Sequence, residues 1–163
     1  MNTIKTLFSV ASCVICLGVT SMVSAATIEP KGASFTAPGT ITVKVPALFF
    51  MPVTCNINFS GNVTADGSKA MITGATISGS NQLCKVPVLK NLPWTLTATS
   101  TTTGTVSGVM FWALSDCGNT PATVSGNWSN EQNRLWVSSA QQVGRCTITD
   151  LSVNPNPRFT VSD

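Results

Sequence analysis

Histidine and tyrosine are both absent from the 163-residue sequence. Histidine is the commonest general base near neutral pH, and tyrosine is a common proton donor. Without histidine a Ser–His catalytic pair is impossible. The six acids are scattered and form no local two-carboxylate motif, so a glycosidase pair would need distant acids to meet in the fold. We therefore expect no catalytic residue and no enzyme. The acids are Glu29, Asp66, Asp116, Glu131, Asp150 and Asp163.

Charge is sparse, since only 9% of the residues are charged. Nine Lys and Arg side chains face six Asp and Glu side chains, and no basic cluster occurs. A nucleic acid is therefore not expected as a partner. No acidic run resembles a calcium loop, and the cysteine spacings are not those of a zinc site. We expect no metal and no cofactor.

The first 25 residues have the three parts of a secretory signal peptide. A charged start at Lys5 precedes an apolar run from Leu7 to Val19 and a small-residue stretch that ends at Ala25. This run is too short to span a bilayer comfortably, and no long apolar segment follows it. We expect cleavage after Ala25 or one residue later. The prediction is a secreted chain, extracellular or periplasmic, with residues 26–163 as a single domain that is not transmembrane.

Apolar and polar residues alternate along several segments of the mature chain. Cys55, Ile57 and Phe59 alternate with polar neighbours, and Trp94 stands in phase with Leu96. A period of two predicts strands with one buried face. Helical periodicity is nearly absent, and glycine and proline punctuate the chain. We expect an all-β, antiparallel sandwich or barrel of about nine to eleven strands.

Four cysteines remain once the signal peptide is removed: Cys55, Cys84, Cys117 and Cys146. An even number in an exported chain predicts two disulfides, and four cysteines allow three pairings. We favour Cys55–Cys84 with Cys117–Cys146, because each pair then spans 29 positions. In the chain-entropy model, closing a loop of about 30 residues stabilises the fold by roughly 3–4 kcal/mol.

The most conspicuous apolar run of the mature chain lies between Pro46 and Pro52. Prolines restrict such a run to a sheet edge or a loop. A buried strand and an exposed loop that touches an apolar surface both remain open. Among the tryptophans, Trp94 and Trp112 are expected in the core, Trp128 could be exposed after a turn-like Ser-Gly-Asn, and Trp136 could lie on either face. The candidate apolar contact residues are Leu48, Phe49, Phe50, Met51, Trp128 and Trp136.

Several segments resemble the PraA/PraB-like alkane oxidation protein activators of pseudomonads. They are Val53–Asn56, Ser60–Val63, Cys84 and Leu92–Ser100, and the most specific piece is Leu-Pro-Trp followed by alternating threonines. The resemblance covers the whole mature chain and its signal peptide. It implies an extracellular, non-enzymatic protein that promotes growth on long alkanes, with hydrocarbon or another apolar surface as its partner and emulsification as its mode of action.

Two other functions remain open. The first is a structural subunit of an extracellular fibre or biofilm matrix, in which the stretch from Thr27 to Val45 would serve as a donated strand and the chain would self-associate. The second is a carbohydrate-binding module that uses Trp128 or Trp136.

Overall fold

The computed structural model describes residues 25–163, and the predicted signal peptide lies almost entirely outside them. Thirteen strands follow one another within this part of the chain. Two short 3₁₀ turns, at Pro46–Leu48 and Gln82–Lys85, are its helical segments. The strands are β1 (Thr27–Glu29), β2 (Ser34–Lys44), β3 (Pro52–Val63), β4 (Ala70–Ser78), β5 (Val88–Lys90), β6 (Trp94–Ala98), β7 (Thr103–Ala113), β8 (Ser115–Asp116), β9 (Ala122–Ser129), β10 (Arg134–Val137), β11 (Gln141–Val143), β12 (Cys146–Val153) and β13 (Thr160–Ser162).

Eight of the strands close into an antiparallel barrel. Going round the barrel, β2 pairs with β3, β3 with β4, β4 with β6, β6 with β7, β7 with β9, β9 with β10, β10 with β12, and β12 with β2. Each strand therefore neighbours the next long strand of the chain, which is the topology of an up-and-down barrel. Both the all-β prediction and the two disulfides are confirmed, and the barrel is the form adopted. Thirteen strands exceed the expected number because short strands β1, β5, β8, β11 and β13 attach to the barrel or its ends.

The alternation in the sequence explains which side chains fill the barrel. Along β3, Cys55, Ile57 and Phe59 are buried while Asn56 is exposed. Because successive side chains of a strand point to opposite faces, this period of two places one set in the interior and the other in water. The same phase holds at Val161, which is buried between two exposed neighbours in β13. The interior is a single apolar cluster drawn from strands all round the barrel.

The two ends of the barrel differ. At one end lie the connections 45–51, 79–93, 114–121 and 138–145, together with both disulfides. We call this the disulfide end. At the other end the connections are the shorter segments 64–69, 99–102 and 130–133. We call this the plugged end, because the terminal strands β1 and β13 pair with each other there.

Buried side chains of the terminal segments fill the plugged end. Ile28 of β1 is 1% exposed, and the Phe159 ring lies edge-on to Phe35 with 5.0 Å between ring centroids. Asn130 fixes β13 from the β9–β10 turn, because its side chain accepts from the Val161 amide at 2.8 Å and donates to the Val161 carbonyl at 2.8 Å. The barrel is thus closed at this end by apolar packing and by hydrogen bonds from the Asn130 side chain to the backbone of β13.

The stretch from Thr27 to Val45 is not free for donation to another chain. Within residues 25–163, β1 pairs with β13, and β2 is hydrogen-bonded on one side to β12 and on the other to β3. This pairing within the chain does not favour the alternative in which the stretch serves as a donated strand.

No helix of the described residues has both the length and the apolar character needed to cross a membrane.

Candidate apolar contact surface and barrel cavity

The run between Pro46 and Pro52 forms an exposed loop at the disulfide end, not a buried strand. Its backbone is held by hydrogen bonds inside the loop, including Phe49 N–H to the Pro46 carbonyl at 2.9 Å and Met51 N–H to the Leu48 carbonyl at 3.0 Å. Since the loop satisfies its own polar groups, it needs no neighbouring strand. Pro46 begins the 3₁₀ turn that follows β2, and Pro52 is the first residue of β3, a strand position that proline tolerates.

The side chains of this loop project into solvent. Phe49 is 92% exposed, Phe50 is 52% exposed and Met51 is 62% exposed, whereas Leu48 is half-buried and packs against the core. The four loop residues predicted as apolar contacts therefore divide into three exposed side chains and one that anchors the loop.

Three further exposed apolar residues lie in the connections of the same end, and one of them, Leu92, is 38% exposed and precedes β6. Val88 begins β5 and is 54% exposed, and Leu114, which follows β7, is 37% exposed. We call Phe49, Phe50, Met51, Val88 and Leu114 the apolar rim. Val88 and Leu114 were not predicted from the sequence as contact residues, although Leu114 follows the apolar end of β7 and Val88 follows Pro87.

Three residues of the apolar rim have left-handed backbone conformations. Their φ angles are +52° at Phe49, +59° at Phe50 and +60° at Leu114. A bulky residue in this region is uncommon, because its Cβ crowds the carbonyl oxygen that follows it. Conformations of this kind are often found where a side chain is displayed for a function. The rim is thus an ordered arrangement of exposed apolar side chains.

Both disulfides have the favoured pairing, and both brace the disulfide end. Cys55–Cys84 joins the start of β3 to the turn Gln82–Lys85, and its Cα atoms are 5.6 Å apart. Cys117–Cys146 joins the β7–β9 connection to the start of β12, with Cα atoms 5.0 Å apart. Gly144, at φ +60°, lies so close to this second bridge that a Cβ there would be 1.5 Å from the Cys117 carbonyl oxygen.

The tryptophans are placed differently from the expectations in two cases. Trp94 is buried, as expected, and so is Trp128, which was a candidate for exposure and for apolar contact. The Ser-Gly-Asn before Trp128 belongs to strand β9 rather than to a turn, and the Trp128 indole N–H donates to Asn130 Oδ1 at 2.7 Å. Trp112, expected in the core, is half-buried, because in β7 it alternates with the buried Phe111.

Trp136 lies on the outer face of the barrel wall and is half-buried. It alternates along β10 with Leu135, which lines the barrel interior. The Arg134 guanidinium carbon is 5.3 Å from the centroid of the Trp136 ring, a distance that suits a cation–π contact. One face of this indole is therefore occupied by Arg134.

The barrel interior contains an apolar cavity. The cavity offers about 110 Å³ that the centre of a water-sized sphere can reach, and its lining is apolar apart from one indole N–H. The indole N–H of Trp94, which is the one polar side-chain donor of this lining, donates outward to the Lys90 carbonyl at 2.8 Å. The lining continues to Leu48, Leu83 and Leu114 at the disulfide end. A water inside would find no hydrogen-bond partner, so the cavity suits an apolar occupant.

Polar groups of the described residues form no comparable site. Within residues 25–163, no three His, Cys, Asp or Glu side chains lie close enough together to hold a metal ion. A shifted carboxyl group lies in the β3–β4 turn, where hydrogen bonds from the Thr64 hydroxyl, the Ser68 amide and the Ser68 hydroxyl lower the pKa of Asp66 to about 2. This turn is at the plugged end, away from the apolar rim.

The closed barrel, the two disulfides and the apolar end define a small disulfide-bonded β-barrel protein. The family model described as alkane oxidation protein activator PraA/PraB-like matches residues 1–163, the whole chain. The protein therefore belongs to this family, and the resemblance drawn from the sequence is confirmed. Neither a curated protein nor a solved structure matches the chain significantly.

Proposed function

We propose that the protein is secreted and promotes hydrocarbon use without catalysis, by adsorbing at oil–water interfaces through its apolar rim. The observation that carries the proposal is the display of Phe49, Phe50 and Met51 at one end of a rigid barrel. Membership of the alkane oxidation activator-like family supports hydrocarbon as the partner. Two disulfides are typical of exported proteins, which supports an extracellular or periplasmic location.

The exposed side chains supply enough free energy for adsorption. Fully burying one Phe or Met side chain is worth about 1.5–3 kcal/mol. Weighted by the exposed fractions of Phe49, Phe50 and Met51, transfer of the loop into hydrocarbon is worth roughly 3–6 kcal/mol per molecule. The low charge of the chain limits repulsion between adsorbed molecules and so favours a dense layer.

The direct test measures the tension of a hexadecane–water interface in the presence of purified, disulfide-bonded protein. We expect micromolar protein to lower the tension, and a triple variant with Phe49→Ser, Phe50→Ser and Met51→Ser to have little effect. A control variant with Ala65→Ser and Thr102→Ser, at exposed turns of the plugged end, should behave as the wild type. Equal activity of the triple variant and the wild type would contradict the role of the rim.

A second measurement separates oil contact from self-association. The rim could instead join two copies of the chain, a contact different from the donated strand of the fibre hypothesis. Sedimentation velocity of the wild type and the triple variant should then show a change in mass. We expect the wild type and the triple variant to sediment as the same species. If the variant loses oligomers but keeps its interfacial activity, the proposal is wrong.

The biological test is deletion of the gene, followed by growth on hexadecane and on a soluble carbon source. We expect a defect on hexadecane alone that added wild-type protein corrects and the triple variant does not. A defect on both carbon sources would indicate a function unrelated to hydrocarbon.

A further inference from the structure

The barrel wall is open between β4 and β5. Strand β4 pairs with β6 only over Ala70–Ile72, while β5 pairs with β7 and not with β4. Residues 73–78 therefore have a strand partner on the β3 side alone. We call the gap between these residues and β5 the β4–β5 slot.

A surface groove covers this slot and shares its lining with the internal cavity. The groove offers about 310 Å³ that the centre of a water-sized sphere can reach. Ile77, Pro87 and Leu89 line both the groove and the cavity, so these three side chains separate the two spaces. The turn Gln82–Lys85, fixed by the Cys55–Cys84 disulfide, borders the groove.

From this arrangement we propose that one unbranched alkyl chain enters through the β4–β5 slot and occupies the barrel cavity. An eight-stranded barrel can be wide enough to hold one small ligand besides its own side chains. The all-apolar lining offers no partner for a hydroxyl or a carboxylate, so what enters is the hydrocarbon part of a molecule. This inference deepens the proposed function and rests on it for the source of the alkyl chain.

The cavity volume sets the length of the chain. One water-sized group needs roughly 10–15 Å³ of such space, so about 110 Å³ takes roughly seven to eleven groups of that size. A methylene is of similar size, and each one removed from water is worth about 0.8 kcal/mol, which corresponds to a factor of about four in affinity. Affinity should therefore rise steeply with chain length and level off once the cavity is full.

Trp94 provides the readout. It lines the cavity, and the other three tryptophans do not. Bromine quenches indole fluorescence on contact, so a 1-bromoalkane in the cavity should quench Trp94. Titration of the full disulfide-bonded chain with a series from 1-bromohexane to 1-bromohexadecane should give saturable quenching, with affinity that rises about fourfold per methylene and then reaches a plateau near ten carbons. Affinity that keeps rising through 1-bromohexadecane would overturn the proposal.

Two substitutions test the route and the cavity separately. Ala113→Phe fills the cavity near β5, and excluding two or more methylenes should weaken 1-bromodecane binding at least roughly tenfold. Gly74→Phe fills the groove outside the slot and should slow association. Thr123→Phe, at an exposed position of β9 away from the slot, is the control and should leave both quantities unchanged. Unchanged binding in Ala113→Phe would place the alkane outside the barrel.

The source of the alkyl chain is distinguished by its end group. Lys85 is the charged side chain among the residues that line the groove. If fatty acids are the ligands, 10-bromodecanoate should bind more tightly than 1-bromodecane, and Lys85→Gln should remove the difference. If free alkanes are the ligands, as we expect, 1-bromodecane should bind at least as tightly and Lys85→Gln should have no effect.

The experiment also remains decisive if a variant fails to fold. Native mass spectrometry of the wild type with 1-bromodecane should show one ligand per chain, and absence of this complex would overturn the inference directly. The triple variant of the exposed loop should still bind 1-bromodecane, while Ala113→Phe should still lower interfacial tension. The proposed function and the internal site can therefore fail independently.

Discussion

The substitution Phe49→Asn should make the protein more stable and less active at an oil surface. Phe49 has a φ of +52°, which strains the backbone of the folded state. Its side chain is 92% exposed, so packing contributes little stability in return. The left-handed conformation costs a bulky residue about 1–2 kcal/mol, and asparagine tolerates this region several-fold better. We therefore expect the free energy of unfolding to increase by about 1 kcal/mol.

The same substitution should weaken adsorption. Removing one exposed phenyl ring from the contact surface costs about 1.5–3 kcal/mol of transfer free energy, which corresponds to roughly a 10- to 100-fold weaker adsorption constant. Guanidinium unfolding followed by tryptophan fluorescence gives the stability, and hexadecane–water tension as a function of protein concentration gives the adsorption constant. Ala65→Asn, at an exposed turn of the plugged end, serves as the control and should change neither quantity.

The opposite changes in stability and activity make this test informative. Replacing a residue that serves folding should lower the stability of the protein. Replacing a residue that serves contact with a partner should weaken only that contact. If Phe49→Asn destabilises the protein, or leaves adsorption unchanged, the reasoning about the apolar rim is wrong.

Four further predictions concern the rest of the molecule. Replacing Cys55 and Cys84 by serine should lower the free energy of unfolding by roughly 3–4 kcal/mol, measured by guanidinium unfolding against wild type. Because the folded pKa of Asp66 is about 2 against 3.8 unperturbed, its ionised form contributes stability above about pH 4 that is lost as the pH falls towards 2. Asp66→Asn should therefore be less stable than wild type at pH 7, and urea midpoints should converge near pH 2. A carbohydrate-binding surface at Trp136 would lose retention on insoluble polysaccharide in the Trp136→Ala variant. We expect negligible retention of both the wild type and this variant. Trp128 is buried, so Trp128→Ala should instead lower the free energy of unfolding by about 3–5 kcal/mol.

The strands and the disulfide pairing were predictable because each depends on a local regularity. Alternation along Cys55, Ile57 and Phe59 repeats at every second residue, and that period is characteristic of a pleated strand with one buried face. The equal spans of the two disulfides also stand directly in the sequence. Neither regularity depends on contacts distant along the chain.

Closure of the barrel and the shape of its interior could not be read in this way. Closure depends on the pairing of β10 with β12, and that register is fixed by many side chains at once. Trp128 shows the same limit: its Ser-Gly-Asn prefix favours a turn locally, yet the surrounding strands place it in the core. The open stretch between β4 and β5 has no counterpart in local pattern at all.

The loop between Pro46 and Pro52 is a mixed case. The prolines correctly limited the run to an edge or a loop, but they left a buried strand open as an alternative. What decides between these is the backbone hydrogen bonding inside the loop, in particular from the Phe50 amide to the Val45 carbonyl at 3.1 Å. Such bonding requires left-handed residues, and phenylalanine gives no sign of that preference in a sequence.

The location of both disulfides at the end that carries the apolar rim has a physical reason. The connections there are longer than those of the plugged end, and they lack the terminal strands that fill the other end. Longer connections lose more entropy when they are ordered, and exposed apolar side chains contribute little packing energy in return. A covalent bridge restrains such connections without covering the side chains that they display. Cys55–Cys84 and Cys117–Cys146 therefore supply, at this end, the order that the core supplies elsewhere, and leave Phe49, Phe50 and the β4–β5 slot accessible.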